Sequence, residues 1–175
     1  MKPWQIIVAI AIILFGVYVA AVIVFAYQMK QFDKRMERNL AAIDVLIVQK
    51  YDMLRLIGKM FVKFEIPVPP EFMLHVRPKF EETLLDIGSA ERAVIKSFLM
   101  RTAQSLFYYG EINKELAQHP EYIAIKENYA EIDRQYRHAV VLYNADVLGY
   151  NYWSHLFWFR WVALARKMID KEIIS

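Results

Sequence analysis

The sequence contains no cysteine and only five glycines and six prolines among its 175 residues. The absence of cysteine excludes disulfide bonds, thiolate nucleophiles and cysteine-ligated zinc sites. The net charge of +3 is close to neutral, whereas proteins that bind nucleic acid carry a clustered excess of Lys and Arg. We therefore expect no nucleic-acid partner. Proline is absent between Trp4 and Ile66, which favours long uninterrupted helices over that range.

The N-terminal region carries the longest apolar run of the chain. No residue from Pro3 to Met29 is charged, and residues 6–27 are 22 consecutive apolar residues, counting Gly16. At about 1.5 Å per residue, a helix of this length is roughly 33 Å long, enough to cross a hydrocarbon core of about 30 Å. Cleaved signal peptides have apolar cores of only about 7–15 residues. We therefore predict an uncleaved transmembrane anchor over residues 1–29, with lipid contact through residues 6–27.

The basic residues that flank this anchor predict its orientation. Lys2 precedes the span, whereas Lys30, Lys34, Arg35 and Arg38 follow it. Because Lys and Arg are enriched on the cytoplasmic side of a membrane span, we expect a single-pass protein of the cell membrane. Its N-terminus would lie outside and the rest of the chain in the cytoplasm.

The chain after the anchor shows helical periodicity. Apolar residues recur at spacings of three and four from Phe32 to Phe64, so we expect the membrane helix to continue as an amphipathic helix. The three prolines of residues 66–72 would end it. Further helices are predicted over residues 78–87, 90–117 and 121–150. No segment alternates as strands do, so we predict an all-α chain in which a single N-terminal transmembrane helix is followed by an antiparallel three- to four-helix bundle over residues 30–150.

Five tyrosines of the last long helix fall seven residues apart: Tyr122, Tyr129, Tyr136, Tyr143 and Tyr150. Seven residues are two helical turns, so their rings share one stripe, as in a coiled coil. We favour a buried seam, because apolar stripes at helical spacing usually form core. The alternative is an exposed ladder for partner or lipid contact. Stacking on nucleic acid would need a basic groove, but five acidic residues of this helix outnumber its three basic ones.

Three short segments follow one another along the chain: KYDM at residues 50–53, HPEYIAI at 119–125 and YRHAVVLYN at 136–144. Together with the N-terminal anchor, they resemble the signature segments of LemA-like proteins. The matching positions are Tyr51, Asp52, Pro120, Tyr136, Tyr143 and Asn144. Arg137 stands where that family usually has Asn. The resemblance implies a membrane-anchored antiparallel helical bundle whose biochemical activity is not established.

No catalytic or metal-binding motif is recognisable in the sequence. None of the four histidines lies three or four residues from another, and there is no Glu-x-x-His pair. A phosphate-binding loop and a Gly-x-Ser-x-Gly segment are also absent from the sequence. We therefore expect a protein that is not an enzyme and that needs no cofactor.

The stretch from residue 151 to 175 is rich in aromatic and basic side chains, with six aromatic residues between positions 152 and 161. On a single helix, Arg160, Lys167 and Lys171 would share a face that can meet anionic lipid. The alternative is a fourth bundle helix with an aromatic core. An alternating bundle would place Tyr150 far from the bilayer, so we expect any lipid contact at the basic end, around Lys167 and Lys171.

Two classes of function follow from these features. The first is a membrane-anchored scaffold or adaptor whose bundle binds other membrane-associated proteins. The second is a lipid-binding or membrane-shaping protein that uses the aromatic and basic C-terminal stretch. Gly16 and Ala20 also form a small-xxx-small pair, which is one route to a homo-oligomer through the anchor.

Overall fold

The structure is a computed structural model that describes residues 3–68 and 89–174. Every regular element in those two ranges is a helix, in agreement with the all-α prediction. The helices are α1 (Pro3–Lys63), α2 (Ser89–Ile112), α3 (Lys114–Ala117), α4 (Pro120–His155) and α5 (Arg160–Ala165). The helix predicted over residues 78–87 lies outside the described residues. The chain forms two units: a first unit of residues 1–37 and 144–172, and a second unit of residues 38–143 and 173–175.

Helix α1 is a single helix of 61 residues, which confirms that the apolar N-terminal run continues into an amphipathic helix. Near its N-terminus α1 is long and apolar enough to cross a membrane, and none of the residues in its most apolar window is buried. The helix ends where Glu65 adopts a left-handed conformation with φ 56°. The Ile66 N–H then donates to the Phe61 carbonyl at 2.9 Å, which satisfies one of the last carbonyls of the helix.

The helix predicted over residues 90–117 is interrupted at Asn113. This residue has an extended backbone (φ −82°, ψ 105°), which separates α2 from α3. Its side-chain oxygen accepts hydrogen bonds from the N–H groups of Glu115 and Leu116 at 3.1 and 3.0 Å. Asn113 therefore ends one helix and caps the next, because Asn competes with the helical backbone for hydrogen bonds.

The core of the second unit is formed by the apolar faces of α1, α2 and α4, with one residue from α3. Its most buried members are Ile43, Ile47, Leu54, Ile57, Phe61, Leu99, Leu106, Leu116 and Tyr122. The rings of Phe64 and His119 meet with centroids 5.3 Å apart. Lys50, fourteen residues before Phe64, binds Asp133, fourteen residues after His119. Helix α4 therefore runs antiparallel to α1 within this unit.

Helices α2 and α4 are also antiparallel within the second unit. Phe107 packs edge-on against Tyr129 with centroids 5.2 Å apart, and Tyr122 lies against Gly110, where a Cβ atom would collide with the phenol ring. Because both α1 and α2 run opposite to α4, they run in the same direction as each other. An alternating bundle would have placed them in opposite directions.

The buried seam predicted for the tyrosines is confirmed for four of the five. In the second unit Tyr122, Tyr129 and Tyr136 are 1%, 8% and 3% exposed, whereas Tyr143 is half-buried. In the first unit Tyr150 is 4% exposed. The exposed-ladder alternative is therefore wrong for these four rings.

In the first unit the end of α4 runs back along α1. The Phe32 ring packs on Gly149, where an added Cβ atom would lie 2.7 Å from the ring, and Arg35 Nε lies 3.2 Å from Asp146 Oδ1. Tyr150 shares a cavity wall with Asp33, six residues after the apolar run. The prediction that Tyr150 lies far from the span is therefore wrong, because it assumed helices of strictly alternating direction.

The single helix expected between residues 151 and 175 is also wrong. Helix α4 continues to His155, residues 156–159 form a turn, and α5 covers only six residues. Helix α5 ends where Lys167 adopts a left-handed conformation with φ 51°, and the Met168 N–H donates to the Ala163 carbonyl at 3.0 Å. Because α5 ends before residue 167, the two lysines and Arg160 do not share a helical face.

Candidate functional site

The C-terminal part of the first unit forms a closed loop, which we call the aromatic hairpin (residues 151–172). Its two limbs are joined by the Asn151 side chain, which donates to the Lys171 carbonyl at 2.9 Å and accepts from the Lys171 N–H at 3.0 Å. His155 Nε2 also lies 2.9 Å from a carboxylate oxygen of Asp170. Asn151 therefore holds the returning chain against the end of α4 by a two-bond clamp.

The tip of the aromatic hairpin contacts the apolar run of α1. The Phe159 ring stacks on Phe25 with centroids 4.6 Å apart and an interplanar angle of 8°. The Tyr18 hydroxyl donates to the Trp158 carbonyl at 3.2 Å and accepts a hydrogen bond from the Trp161 indole N–H. The Trp158 carbonyl and the Trp161 indole N–H thus find partners on an apolar surface, where an unpaired donor or acceptor would be costly.

The outer surface of the tip consists of large apolar side chains. Phe157, Trp158, Trp161 and Leu164 are 80%, 70%, 57% and 71% exposed. Together with Tyr18 and Arg160 they line a cavity of about 550 Å³. A contiguous exposed apolar surface of this kind marks a contact site for a partner or a membrane.

Charged groups surround the base of the aromatic hairpin. Lys171 Nζ lies 3.8 Å from Asp33 Oδ1 and 5.7 Å from the centroid of the Tyr150 ring. Burial raises the pKa of the Tyr150 phenol, and the carboxylates of Asp33 and Asp170 raise it further. The base is therefore a paired arrangement of opposite charges on α1 and the returning chain.

The three basic residues predicted to contact lipid occupy different surroundings. Lys171 is paired with Asp33, and Lys167 lines the same cavity as that carboxylate. Arg160 instead lies at the tip, among aromatic side chains. The structure thus separates Arg160 from the two lysines with which the sequence grouped it.

The second unit contains a buried cation, which with its partners forms what we call the Lys50 cluster. Lys50 is 5% exposed, and its Nζ lies 2.6 Å from Asp133 Oδ1. The same Nζ lies 5.3 and 4.8 Å from the ring centroids of Tyr129 and Tyr136. The other carboxylate oxygen of Asp133 binds Arg137 at 3.1 Å. Burial, and then Asp133, raise the pKa values of both tyrosines.

The positions of the LemA-like signature are spread along two helices. Tyr51 and Asp52 are half-buried on α1, and Pro120 is the first residue of α4. Tyr136 belongs to the Lys50 cluster, and Tyr143 packs against the core of the second unit. The sixth position, Asn144, lies in the first unit. All of these positions are buried or half-buried except Pro120, which is exposed.

Sequence reasoning missed three residues of these two clusters. Tyr18 and Phe25 were assigned to lipid contact with the rest of the apolar run, although a phenol hydroxyl in the middle of that run needs a partner. Lys50 is noted in the sequence only as the first residue of the KYDM segment, although it interrupts an apolar helical stripe. For Tyr18 and Lys50 the signal was one polar group within an otherwise apolar pattern, whereas Phe25 carries no such signal.

Comparisons with known proteins do not assign this chain to a family. No protein-family model, curated protein or solved structure matches the chain. Over the described ranges, no group of three or more His, Asp or Glu side chains could hold a metal ion. The LemA resemblance and the expectation of a non-enzymatic protein both stay predictions.

Proposed function

We propose that this chain is a single-pass membrane protein whose function is lipid binding at one face of the membrane. It would contact the bilayer through the apolar run of α1 and, in addition, through the aromatic hairpin. The observation that carries this proposal is the contact of Phe159 and Trp161 with Phe25 and Tyr18. Both of those α1 residues belong to the run that we expect to cross the membrane.

The depth of these contacts supports insertion into one leaflet. Phe25 lies two residues before Tyr27, the last residue of the apolar run, or about 3 Å along a helix. Tyr18 lies nine residues before Tyr27, or about 14 Å along the helix. Because the hydrocarbon core is about 30 Å thick, a tip that touches both residues reaches from the interface toward the middle of the bilayer.

Part of the hairpin backbone is paired. The turn is closed by a hydrogen bond of 2.9 Å from the Phe159 N–H to the Leu156 carbonyl, and the Ala163 N–H donates to the Phe159 carbonyl at 3.0 Å. Non-helical backbone at membrane depth is tolerated where it is buried against protein, and here the Trp158 carbonyl accepts from the Tyr18 hydroxyl of α1. Full transfer of an apolar side chain such as Phe157 or Leu164 from water contributes about 1.5–3 kcal/mol. The transfer free energies of several exposed apolar side chains therefore favour insertion.

The basic residues after the span support a location in the cell membrane with the hairpin in the cytoplasmic leaflet. Lys30, Lys34, Arg35 and Arg38 all follow the apolar run. The exposed residue Ala130 of α4 offers a test, since the chain has no other cysteine. An Ala130→Cys variant should escape a membrane-impermeant maleimide in intact cells and react after lysis. Labelling of intact cells would reverse the proposed orientation.

A non-enzymatic adaptor role for the second unit is the second candidate. In this proposal α1, α2 and α4 form a bundle that presents the outer face of α2 to another membrane-associated protein. Val94, Tyr108 and Ile112 on that helix are 67%, 65% and 61% exposed. Their spacings of fourteen and four residues place them on one side of the helix.

Depth-dependent fluorescence quenching tests the lipid-binding proposal. The full chain with Trp4 and Trp153 replaced by Phe keeps Trp158 and Trp161 as the only indoles. In phosphatidylcholine vesicles, a doxyl label on the lipid acyl chain should quench these two indoles strongly, and aqueous acrylamide should quench them weakly. The control keeps Trp153 alone, with Phe at the other three positions, and should be quenched less by the acyl-chain label. Strong acrylamide quenching of Trp158 and Trp161 without lipid quenching would overturn the proposal.

A further inference from the structure

The cavity at the tip of the aromatic hairpin has one charged residue in an otherwise aromatic and aliphatic wall. Arg160 lies there with Tyr18, Phe157, Trp158, Trp161 and Leu164, around about 550 Å³. This volume is within the range of about 300–1,000 Å³ that small-molecule sites occupy. The wall therefore offers a large apolar surface and one fixed positive charge.

The charge of Arg160 is not neutralised within the described part of the chain. No ion pair forms there between Arg160 and a carboxylate. The basic residues near the base behave differently, since Arg35 approaches Asp146 at 3.2 Å and Lys171 approaches Asp33 at 3.8 Å. A cation beside hydrocarbon is costly unless it finds an anion or reaches the interface. Arg160 thus needs an anionic partner that the described residues do not supply.

The position of Arg160 identifies where that anion would lie. Its neighbour Phe159 stacks on Phe25, about 3 Å inside the end of the apolar run. A long Arg side chain at this level can reach the phosphate layer of the leaflet. Arg also binds phosphate through two parallel hydrogen bonds, which Lys cannot reproduce.

The rest of the wall is apolar and is suited to hydrocarbon. Trp161 stacks on Tyr18, about 14 Å inside the end of the apolar run. The polar atoms of Trp161, Tyr18 and the Trp158 carbonyl are already bonded to one another, so they present no open site to a polar ligand. The wall thus combines one cation with a large apolar surface, which are the two features that the phosphate and the acyl chain of a phospholipid require.

We propose that this cavity binds a single glycerophospholipid, whose phosphate is held by Arg160 and whose acyl chain lies on Trp158, Trp161 and Leu164. This inference rests on the lipid-binding function proposed above and adds a defined site to it. An anionic phospholipid should bind better than a zwitterionic one, because a choline group carries a positive charge close to its phosphate. The occupant is a bilayer lipid rather than a soluble phosphate, because most of the wall is apolar.

A titration with a short-chain phospholipid tests the site. The probe is dihexanoyl phosphatidylglycerol, added to the full chain in detergent micelles and followed by the emission of Trp158 and Trp161 in the background lacking the other two indoles. Saturable binding is expected. Arg160→Gln should weaken it about tenfold or more, because a charge-assisted hydrogen-bond pair is lost. The affinity of Arg160→Lys should lie between those of the unmodified chain and Arg160→Gln, since Lys keeps the charge but cannot form two parallel hydrogen bonds.

Matched controls separate the site from general basicity. Arg166→Gln makes the same change of charge on the same hairpin, at an exposed position that lines the other cavity, and it should bind as the unmodified chain does. Inorganic phosphate and a dihexanoyl diacylglycerol test the two ends of the ligand separately, and each should bind far more weakly than the phospholipid. Circular dichroism should show the same helix content for all variants.

The outcomes distinguish this inference from the function on which it rests. If Arg160→Gln binds the phospholipid as tightly as the unmodified chain, the phosphate site is wrong, even when the acyl-chain label still quenches the tip. Equal binding of inorganic phosphate would show a simple anion site and would also overturn the inference. If the acyl-chain label fails to quench the tip of the unmodified chain, the lipid-binding proposal itself fails.

Discussion

Removing Asp133 should destabilise the second unit much more than removing Lys50, although the two form one ion pair. The Lys50 side chain is 7% exposed and the Asp133 side chain 28%. Asp133→Asn leaves a buried cation between two tyrosine rings without a counter-charge. Breaking a buried pair in this way costs about 3–5 kcal/mol. Because Asp133 is partly exposed, we expect the lower end, about 3 kcal/mol, or a fall in Tm of roughly 10 °C.

Replacing Lys50 instead of Asp133 leaves no buried charge without a partner. Lys50→Met places an apolar side chain of similar length in the same space, and Asp133 keeps its second partner, Arg137, at 3.1 Å. Replacement of a buried ion pair by packed apolar groups is often neutral. We therefore expect Lys50→Met to change the stability by about 1 kcal/mol or less, and the double variant to resemble it.

Thermal unfolding of the full chain in detergent micelles, followed by circular dichroism, gives the Tm of each variant. Hydrogen exchange along α4 shows whether the change lies in the second unit. Glu131→Gln is the control, because it breaks an exposed pair with Arg134 on the same helix, which should contribute less than about 0.5 kcal/mol. Equal losses from Lys50→Met and Asp133→Asn would refute the asymmetry, and so would an Asp133→Asn protein as stable as the control.

Three further predictions concern the tyrosine seam and the anchor. Burial, and then Glu111, raise the pKa of Tyr122 from 10.0 to about 12, so the stability that this phenol contributes is complete below pH 10 and is lost as the pH rises toward 12. The phenolate absorbance of the buried tyrosines should therefore appear together with helix loss above pH 10, and later in Tyr122→Phe. Full titration of the tyrosines with the helices intact would contradict this. Tyr136→Ala should cost about 3–5 kcal/mol and the half-buried Tyr143→Ala clearly less, as measured by chemical denaturation; equal losses would count against the burial argument. If two anchors associate through Gly16 and Ala20, Gly16→Leu should abolish crosslinked dimers in vesicles, and an unchanged dimer yield would exclude that contact.

The helical parts of the fold were predictable because their patterns are long and local. The apolar stripe of α1 and the seven-residue spacing of the tyrosines predicted both the helices and the buried faces. The break at Asn113 was not predicted, because a side chain that caps α3 looks in sequence like an ordinary polar residue of α2. The left-handed residues Glu65 and Lys167 were likewise invisible, since helices more often end this way at glycine.

The candidate site was predictable only in composition. The aromatic and basic character of residues 151–172 indicated lipid contact. The direction of α4 relative to α1 depends on which helices pair, and helical periodicity carries no information on that choice. The contacts of Tyr18 and Phe25 follow from this pairing, so they could not be read from either segment alone.

The Lys50 cluster also has a consequence for how α1 and α4 align along their lengths. Within the second unit, positions 43, 50 and 57 of α1 are spaced by seven and hold Ile, Lys and Ile, while α4 carries tyrosine at positions 122, 129, 136 and 143. Two such repetitive surfaces could slip past each other by one repeat and still bury similar side chains. A slip in one direction would face Lys50 with Lys126, and in the other with Val140. Either shift leaves a buried cation without its carboxylate, so a single lysine in an apolar series selects one alignment among several that hydrophobic burial alone would accept.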